Sequence, residues 1–198
     1  MTFKQLLEIV RKEEADYPAG ELAITLTSFI RDICNEAEPF IAEHEVTANG
    51  EDITFLYEDF GSEFGSRFMK PRQIRIDNEQ VRTIANSVHG DIVYETIHNG
   101  INIGINNAGD IRPLGQGKTF TLEYFSYPPP VSVNTGMLPI PQAHSMYLWR
   151  IKGDLYAERR HWDRAGYYNR RYERALVQYK RMVNSSGIQK IIHPNATL

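Results

Sequence analysis

Ile92-Val93-Tyr94-Glu95-Thr96-Ile97-His98-Asn99-Gly100-Ile101-Asn102-Ile103-Gly104-Ile105 sets two runs rich in β-branched and aromatic residues on either side of Asn99-Gly100. That is the signature of a β-hairpin: the runs fit a pleated surface and the central pair accepts a tight turn. A second Asn-Gly pair, Asn49-Gly50, lies between Ile41–Thr47 and Ile53–Tyr57 and predicts another hairpin of the same kind. Gln73 to Ile76 reads as a short extended segment, and Thr119 to Phe125 as the last strand. Pro128-Pro129-Pro130 cannot join a ladder and closes the β-rich region, which therefore covers residues 40–127. Within it, Val81, Ile84, Ala85 and Val88 return to helical spacing and predict a helix over about 78–87, with Asp77 as its N-cap.

Outward from this region the period changes to that of a helix on both sides. Phe3, Leu6, Leu7 and Val10 share one helical face, so residues 2–14 are expected to be helical, with Thr2 and Gln5 at capping-box spacing. Leu22, Leu26, Phe29, Ile30, Ile33 and Ala37 form the stripe of a second helix over 21–37, which Pro39 ends. After Pro139 and Pro141, Tyr147, Leu148, Ile151 and Leu155 mark a helix over 143–159. Tyr168, Tyr172, Ala175, Leu176, Tyr179 and Val183 mark another over 163–183, with Asp163 as N-cap. The short link at His161-Trp162 makes these two an antiparallel αα-hairpin. The expected fold class is α+β: about four helices in one domain over 1–183, an inserted antiparallel β region, and an extended C-terminal arm over 184–198.

Composition narrows the functional classes. The chain has 198 residues, 41% of them hydrophobic and 24% charged, which supports a packed core rather than a disordered segment. No apolar run approaches the ~18 residues needed to cross a bilayer, and Met1 to Val10 does not read as a signal peptide, so no membrane partner is expected. A lone cysteine, Cys34, excludes an intramolecular disulfide framework and a cysteine-based zinc module. Its place beside the second helix's apolar stripe predicts a buried, inert thiol.

Chemistry-bearing motifs are sparse. Gly115-Gln116-Gly117-Lys118-Thr119 echoes the end of a phosphate-binding loop, but Arg112 stands where the first glycine is needed. A strand follows where that motif needs a helix. The six histidines include no i, i+4 pair of the zinc-protease type, and Glu95 and His98 fall on opposite faces of a strand. His89-Gly90-Asp91 reads as a turn. No catalytic role, metal or cofactor is predicted; an enzyme built on His89, Asp91, Glu95 and His98 is the reading set aside. Trp149, Gly153, Tyr156 and Ala165 give the last two helices a faint tetratricopeptide look, but one unit of that repeat cannot bury its own face.

Charge is the feature that stands out. Residues 1–60 hold 14 acidic and 4 basic side chains, a net of −10, whereas residues 141–190 hold 11 basic and 4 acidic, a net of +7. Either the acidic end faces the basic end of the same chain or a neighbour, or the basic end meets nucleic acid. Arg164, Arg170, Arg171, Arg174, Lys180 and Arg181, with Arg159 and Arg160, are interleaved with Trp162, Tyr167, Tyr168, Tyr172 and Tyr179. Arginines among aromatics can stack on bases, which makes a nucleic-acid-binding module the alternative function. The helical spacing of the tyrosines favours a seam between two helices instead. Beyond it, Ile188, Ile191, Ile192 and Pro194 make a tail that is short yet apolar, and such a tail gains most by docking on another chain.

The second half of the chain resembles the head-to-tail adaptor (neck, or connector) proteins of tailed bacteriophages. The likeness rests on Leu122-Glu123-Tyr124-Phe125-Ser126-Tyr127-Pro128-Pro129, on Leu138-Pro139-Ile140-Pro141-Gln142, on Tyr147-Leu148 leading to Leu155-Tyr156-Ala157, and on Tyr172-Glu173-Arg174-Ala175-Leu176. It covers about residues 118–183; the first 117 match in element order alone. The resemblance implies a structural virion protein of the neck, assembled in the host cytoplasm as a homo-oligomeric ring, commonly of twelve subunits. Such a ring binds the portal protein, receives a tail or nozzle protein, and lets DNA pass without sequence recognition. Ile188, Ile191, Ile192 and Pro194 would then belong to the portal-docking arm. Arg164, Arg170, Arg171, Arg174, Lys180 and Arg181 would supply charge contacts to neighbouring subunits or to the DNA channel. Termini of opposite charge suit the head-to-tail contact of such a ring.

Overall fold

Phe40 is where the chain changes from helical to extended, and the break in period is also a break in packing. In a computed structural model, which describes residues 1–37, 40–61, 67–77, 79–140, 143–186 and 190–192, the chain divides into two compact units. Residues 1–39 and 128–189 form the first, and residues 40–127 and 190–198 the second. The fold class is α+β, with four helices, two N-terminal and a C-terminal pair, and two sheets inserted between them.

The helical unit contains α1 (Phe3–Arg11), α2 (Ala19–Ala37), α3 (His144–Glu158) and α4 (Trp162–Ser186). Thr2 caps α1 through the full capping box with Gln5. Most of the predicted stripes are buried: Phe3, Leu6 and Val10 on α1; Leu22, Leu26, Phe29, Ile30, Ile33 and Ala37 on α2; Tyr147, Ile151 and Leu155 on α3; Tyr172, Tyr179 and Val183 on α4, whereas Leu7, Leu148, Tyr168, Ala175 and Leu176 are half-buried. Helix α3 packs along α4, α2 packs against α4, and α1 against α3. The segment after the three prolines is tied to the N-terminal helices. The Val131 N–H donates to Thr27 Oγ1 at 3.0 Å, and the Phe3 N–H donates to the Gly136 carbonyl at 3.0 Å.

The β unit has two five-stranded sheets. The first runs β10-β1-β9-β3-β4, built from β1 (Phe40–Thr47), β3 (Phe68–Ile76), β4 (Glu79–Gln80), β9 (Thr119–Ser126) and β10 (Lys190–Ile192). The second runs β2-β7-β6-β5, from β2 (Thr54–Leu56), β5 (Arg82–Thr83), β6 (Ile92–Ile97) and β7 (Gly100–Asn107), with β8 (Asp110–Arg112) also on β7. Ile74, Ile76, Phe120, Leu122 and Tyr124 of the first sheet share one buried cluster with Ile101 and Ile103 of the second. Phe55 meets Phe120 edge-on at 5.0 Å within it.

Four expectations for this region are corrected. Asn49-Gly50 does not close a hairpin: β1 pairs with β9 and β10, and β2 pairs with β7. The Asn49 carboxamide instead accepts the Glu51 and Asp52 N–H groups, a local turn that carries the chain from one sheet to the other. Among the described residues of 78–87 no α-helix forms; they make two short strands and a 3-10 turn at Ile84–Asn86. Val81 is held there by donating its N–H to the Ile74 carbonyl and by burial in the shared core, a pairing that overrides the helical spacing. Asp77 adopts φ 53 in a turn rather than capping a helix. The sheets are mixed, since β10 runs parallel to β1 and β5 parallel to β6. The hairpin over Ile92–Ile105 is present with His98 and Asn99 as its turn, Gly100 already pairing with Ile97.

Gly104 shows how tightly β7 and β8 approach: a Cβ there would meet the Arg112 carbonyl oxygen and the Ile111 side chain. The β7–β8 turn is Ala108-Gly109, both at positive φ. On the first sheet, Glu43 of β1 sits opposite Glu123 of β9. Arg75 bridges the two carboxylates, Arg72 pairs with Glu123, and the Gln73 carboxamide donates to Glu123 at 3.0 Å, so the buried Glu123 is compensated from β3.

Candidate functional site

Helix α4 carries the arginines and tyrosines that the sequence singles out, and α3 decides which of them are spoken for. Gly153 on α3 lies against the Asn169 side chain, so the two helices approach closely at that level. Tyr172 and Tyr179 are buried in the resulting seam, and burial raises the Tyr179 phenol to about 12. Tyr168 stacks on Tyr156 with centroids 5.6 Å apart and planes 2° from parallel. The tyrosines at helical spacing are thus packing residues. Tyr167 and Trp162 are the exposed aromatics of this helix.

The six predicted contact residues separate into three groups. Arg164 lies over the Tyr156 ring at 5.4 Å, and Arg171 lies over Tyr167 at 5.0 Å and Trp149 at 5.6 Å. Lys180 pairs with Glu36 of α2 at 2.6 Å. Arg170, Arg174 and Arg181 are exposed and have no ion-pair partner among the described residues. These three share one face with Val177, following the spacing 170, 174, 177, 181.

The acidic N-terminal segment is partly consumed by the same unit. Glu13, just past α1, receives the Lys152 ammonium at 2.7 Å and the Tyr156 hydroxyl at 3.1 Å. Arg159 donates to the Glu13 carbonyl at 2.9 Å and pairs with Glu14 at 3.2 Å. The hydrogen bond from Lys152 holds the Glu13 carboxyl below its ordinary range, and the same bond lifts the Lys152 ammonium. Part of the charge division along the chain is therefore settled internally. Glu8, Glu21 and Asp32 remain exposed without an ion-pair partner among the described residues.

The sequence reading did not pick out Glu13 or Lys152, and it named Tyr156 only within helix motifs; Glu13 lies about 140 residues from the other two, so no local spacing joins it to them. It also passed over Ile24, 74% exposed on α2, and Val177, 48% exposed on α4. Their signal was available as an apolar residue in the polar face of an amphipathic helix.

The arm expected over 184–198 is corrected where the chain is described: residues 184–186 continue α4, and Ile191 and Ile192 lie in β10, in register with Ile41 and Ala42 of β1, because their backbone finds hydrogen-bond partners on that sheet edge. Ile188 and Pro194, like Pro39, Pro141 and Gly187, lie outside the described residues. Among the described residues no group of three or more His, Cys, Asp or Glu side chains is placed to hold a metal ion, and no helix is long and apolar enough to cross a membrane. His89, Glu95 and His98 are exposed; the Asp91 carboxylate accepts the Val88 N–H at 3.1 Å within the turn. Gly117, at φ 78, turns the chain into β9, with Ala48 and Lys118 bonded across that turn. An open hollow of about 280 Å³ lies between Tyr156, Asp163, Arg164, Tyr167 and Tyr168, its lining a mixture of charge and aromatic rings.

No protein-family model matches this chain, and no curated protein matches it either.

Proposed function

We propose that this chain is a head-to-tail adaptor of a tailed bacteriophage, a structural virion protein that forms a ring between the portal and the tail. The observation that carries the reading is the charge left over after pairing among the described residues: α4 keeps Arg170, Arg174 and Arg181 without ion-pair partners there, while α1 and α2 keep Glu8, Glu21 and Asp32. Two different surfaces of opposite sign on one unit favour a heterologous contact, and heterologous contacts close into rings when the rotation allows. The resemblance over residues 118–183 supplies the identity of that ring, and with it the portal, the tail-side protein and the DNA channel as partners. Residues 187–198 act in this reading as the portal-docking arm.

Electron micrographs of the purified chain, alone and mixed with portal particles, test this. Rings seated on one pole of the portal are expected, and the chain without residues 187–198 should form rings that leave the portal bare. A chain that stays monomeric beside portal particles overturns the reading. The exposed Trp162 and Tyr167, on the same helix as Arg170, Arg174 and Arg181, favour one rival, a nucleic-acid-binding module. Salt-dependent retardation of short DNA by the monomer would select it.

A further inference from the structure

Helix α2 turns outward a face made of Glu21, Ile24, Ser28 and Asp32, spaced by three, four and four residues. Helix α4 turns outward Arg170, Arg174, Val177 and Arg181, spaced by four, three and four. Glu21 to Asp32 and Arg170 to Arg181 are each eleven residues, about 16 Å along a helix. Laid antiparallel, the two faces put Glu21 opposite Arg181, Ile24 opposite Val177, Ser28 opposite Arg174 and Asp32 opposite Arg170. Each acid then meets an arginine, and the two exposed apolar side chains meet each other. Arg31 and Glu36 border the α2 face, and Glu173 and Lys180 border the α4 face. Glu36 and Lys180 already pair with each other within the chain.

The geometry points to a contact between copies of this chain in which α2 of one subunit lies antiparallel against α4 of the next. It rests on the ring reading above and names the surfaces that would build the ring. Both faces belong to the helical unit, and Glu21, Asp32, Arg170 and Arg181 are exposed with no ion-pair partner among the described residues, so the contact breaks no ion pair there. Single exposed ion pairs contribute little. The Ile24–Val177 contact supplies apolar burial, and the charges set register and exclude the like-with-like pairings α2–α2 and α4–α4. Because the two faces differ, each subunit offers one of each, and the contact propagates around a ring.

Charge reversal of the full chain tests it, with mass photometry as readout and circular dichroism confirming the fold. The unaltered chain should assemble, less so as salt rises. Arg170→Glu with Arg181→Glu, and Glu21→Lys with Asp32→Lys, should each weaken assembly at least ten-fold. All four changes in one chain should restore it, as should mixing the two reversed chains, which would then alternate. If either reversed pair assembles like the unaltered chain, this contact falls while the ring reading stands. Failure of the four-fold variant to assemble while folded also removes the contact. An unaltered chain that stays monomeric overturns both readings; DNA retardation lost in the arginine variant would then assign that face to nucleic acid.

Discussion

The Glu13 carboxylate and the Lys152 ammonium, 2.7 Å apart, fasten the segment after α1 to the middle of α3, with the Tyr156 hydroxyl closing on the second carboxylate oxygen. Because the pair lowers the Glu13 pKa and raises that of Lys152, its contribution has a defined pH window. It is complete above the ordinary carboxylate value of 4.5 and is lost as pH falls through the lowered value in the folded chain. On the alkaline side it is complete below the ordinary lysine value of 10.5 and is lost as pH rises through the raised one. Glu13→Gln should therefore cost about 1 kcal/mol at pH 7 and flatten the acid limb of the stability profile. Urea unfolding from pH 3 to 7 measures it; an unchanged acid limb would mean the pair contributes nothing.

Tyr147 is fully buried, and its hydroxyl oxygen accepts the Ile140 N–H at 3.2 Å. Tyr147→Phe keeps the ring's packing but strands that donor. A loss of about 1–3 kcal/mol is expected by chemical denaturation.

Ala108 holds φ 55 in the β7–β8 turn, a conformation that strains an alanine and suits an asparagine. Ala108→Asn should stabilise the chain by about 0.5–1 kcal/mol, seen as a higher denaturation midpoint with an unchanged slope.

Gly104 leaves no room for a methyl group against the Arg112 carbonyl and Ile111. Since the obstacle is largely backbone, Gly104→Ala should displace β8 and destabilise by about 1–3 kcal/mol. Faster amide exchange over Asp110–Arg112 would locate the damage.

Burial pushes the Cys34 thiol up to about 12, so almost no thiolate exists near neutral pH. A chromogenic disulfide reagent at pH 8 should leave the folded chain unmodified and titrate one thiol after unfolding. Rapid labelling of the folded chain would contradict the packing of α2.

How far the chain could be read in advance followed sequence separation. The four helices were legible because a 3.6-residue period states which face is buried, whatever covers it. The hairpin over Ile92–Ile105 was legible because both strands and their turn are adjacent. Asn49-Gly50 carried the same turn signal yet links strands of different sheets, since β1 finds its partner β9 some 70 residues away. Val81, Ile84, Ala85 and Val88 carried helical spacing, yet Val81 is drawn into an extended pairing by the Ile74 carbonyl and the shared core.

The candidate site divides along the same line. The arginines of residues 164–181 and the acids of the first helices were plain in the sequence, but not which of them would meet. Lys180 is taken by Glu36, Arg164 and Arg171 by aromatic rings, and Arg170, Arg174 and Arg181 are left over.

By itself the sequence determined the α+β class, the order of the four helices around a β-rich insertion, and the buried side of each helix, because local periodicity encodes a face. The tertiary structure alone decided the strand partners, the division into two units and which charges remain unpaired. Those depend on groups brought together by chain closure over tens of residues, where a hydrogen bond or an opposite charge arriving from a distant element outweighs the local preference.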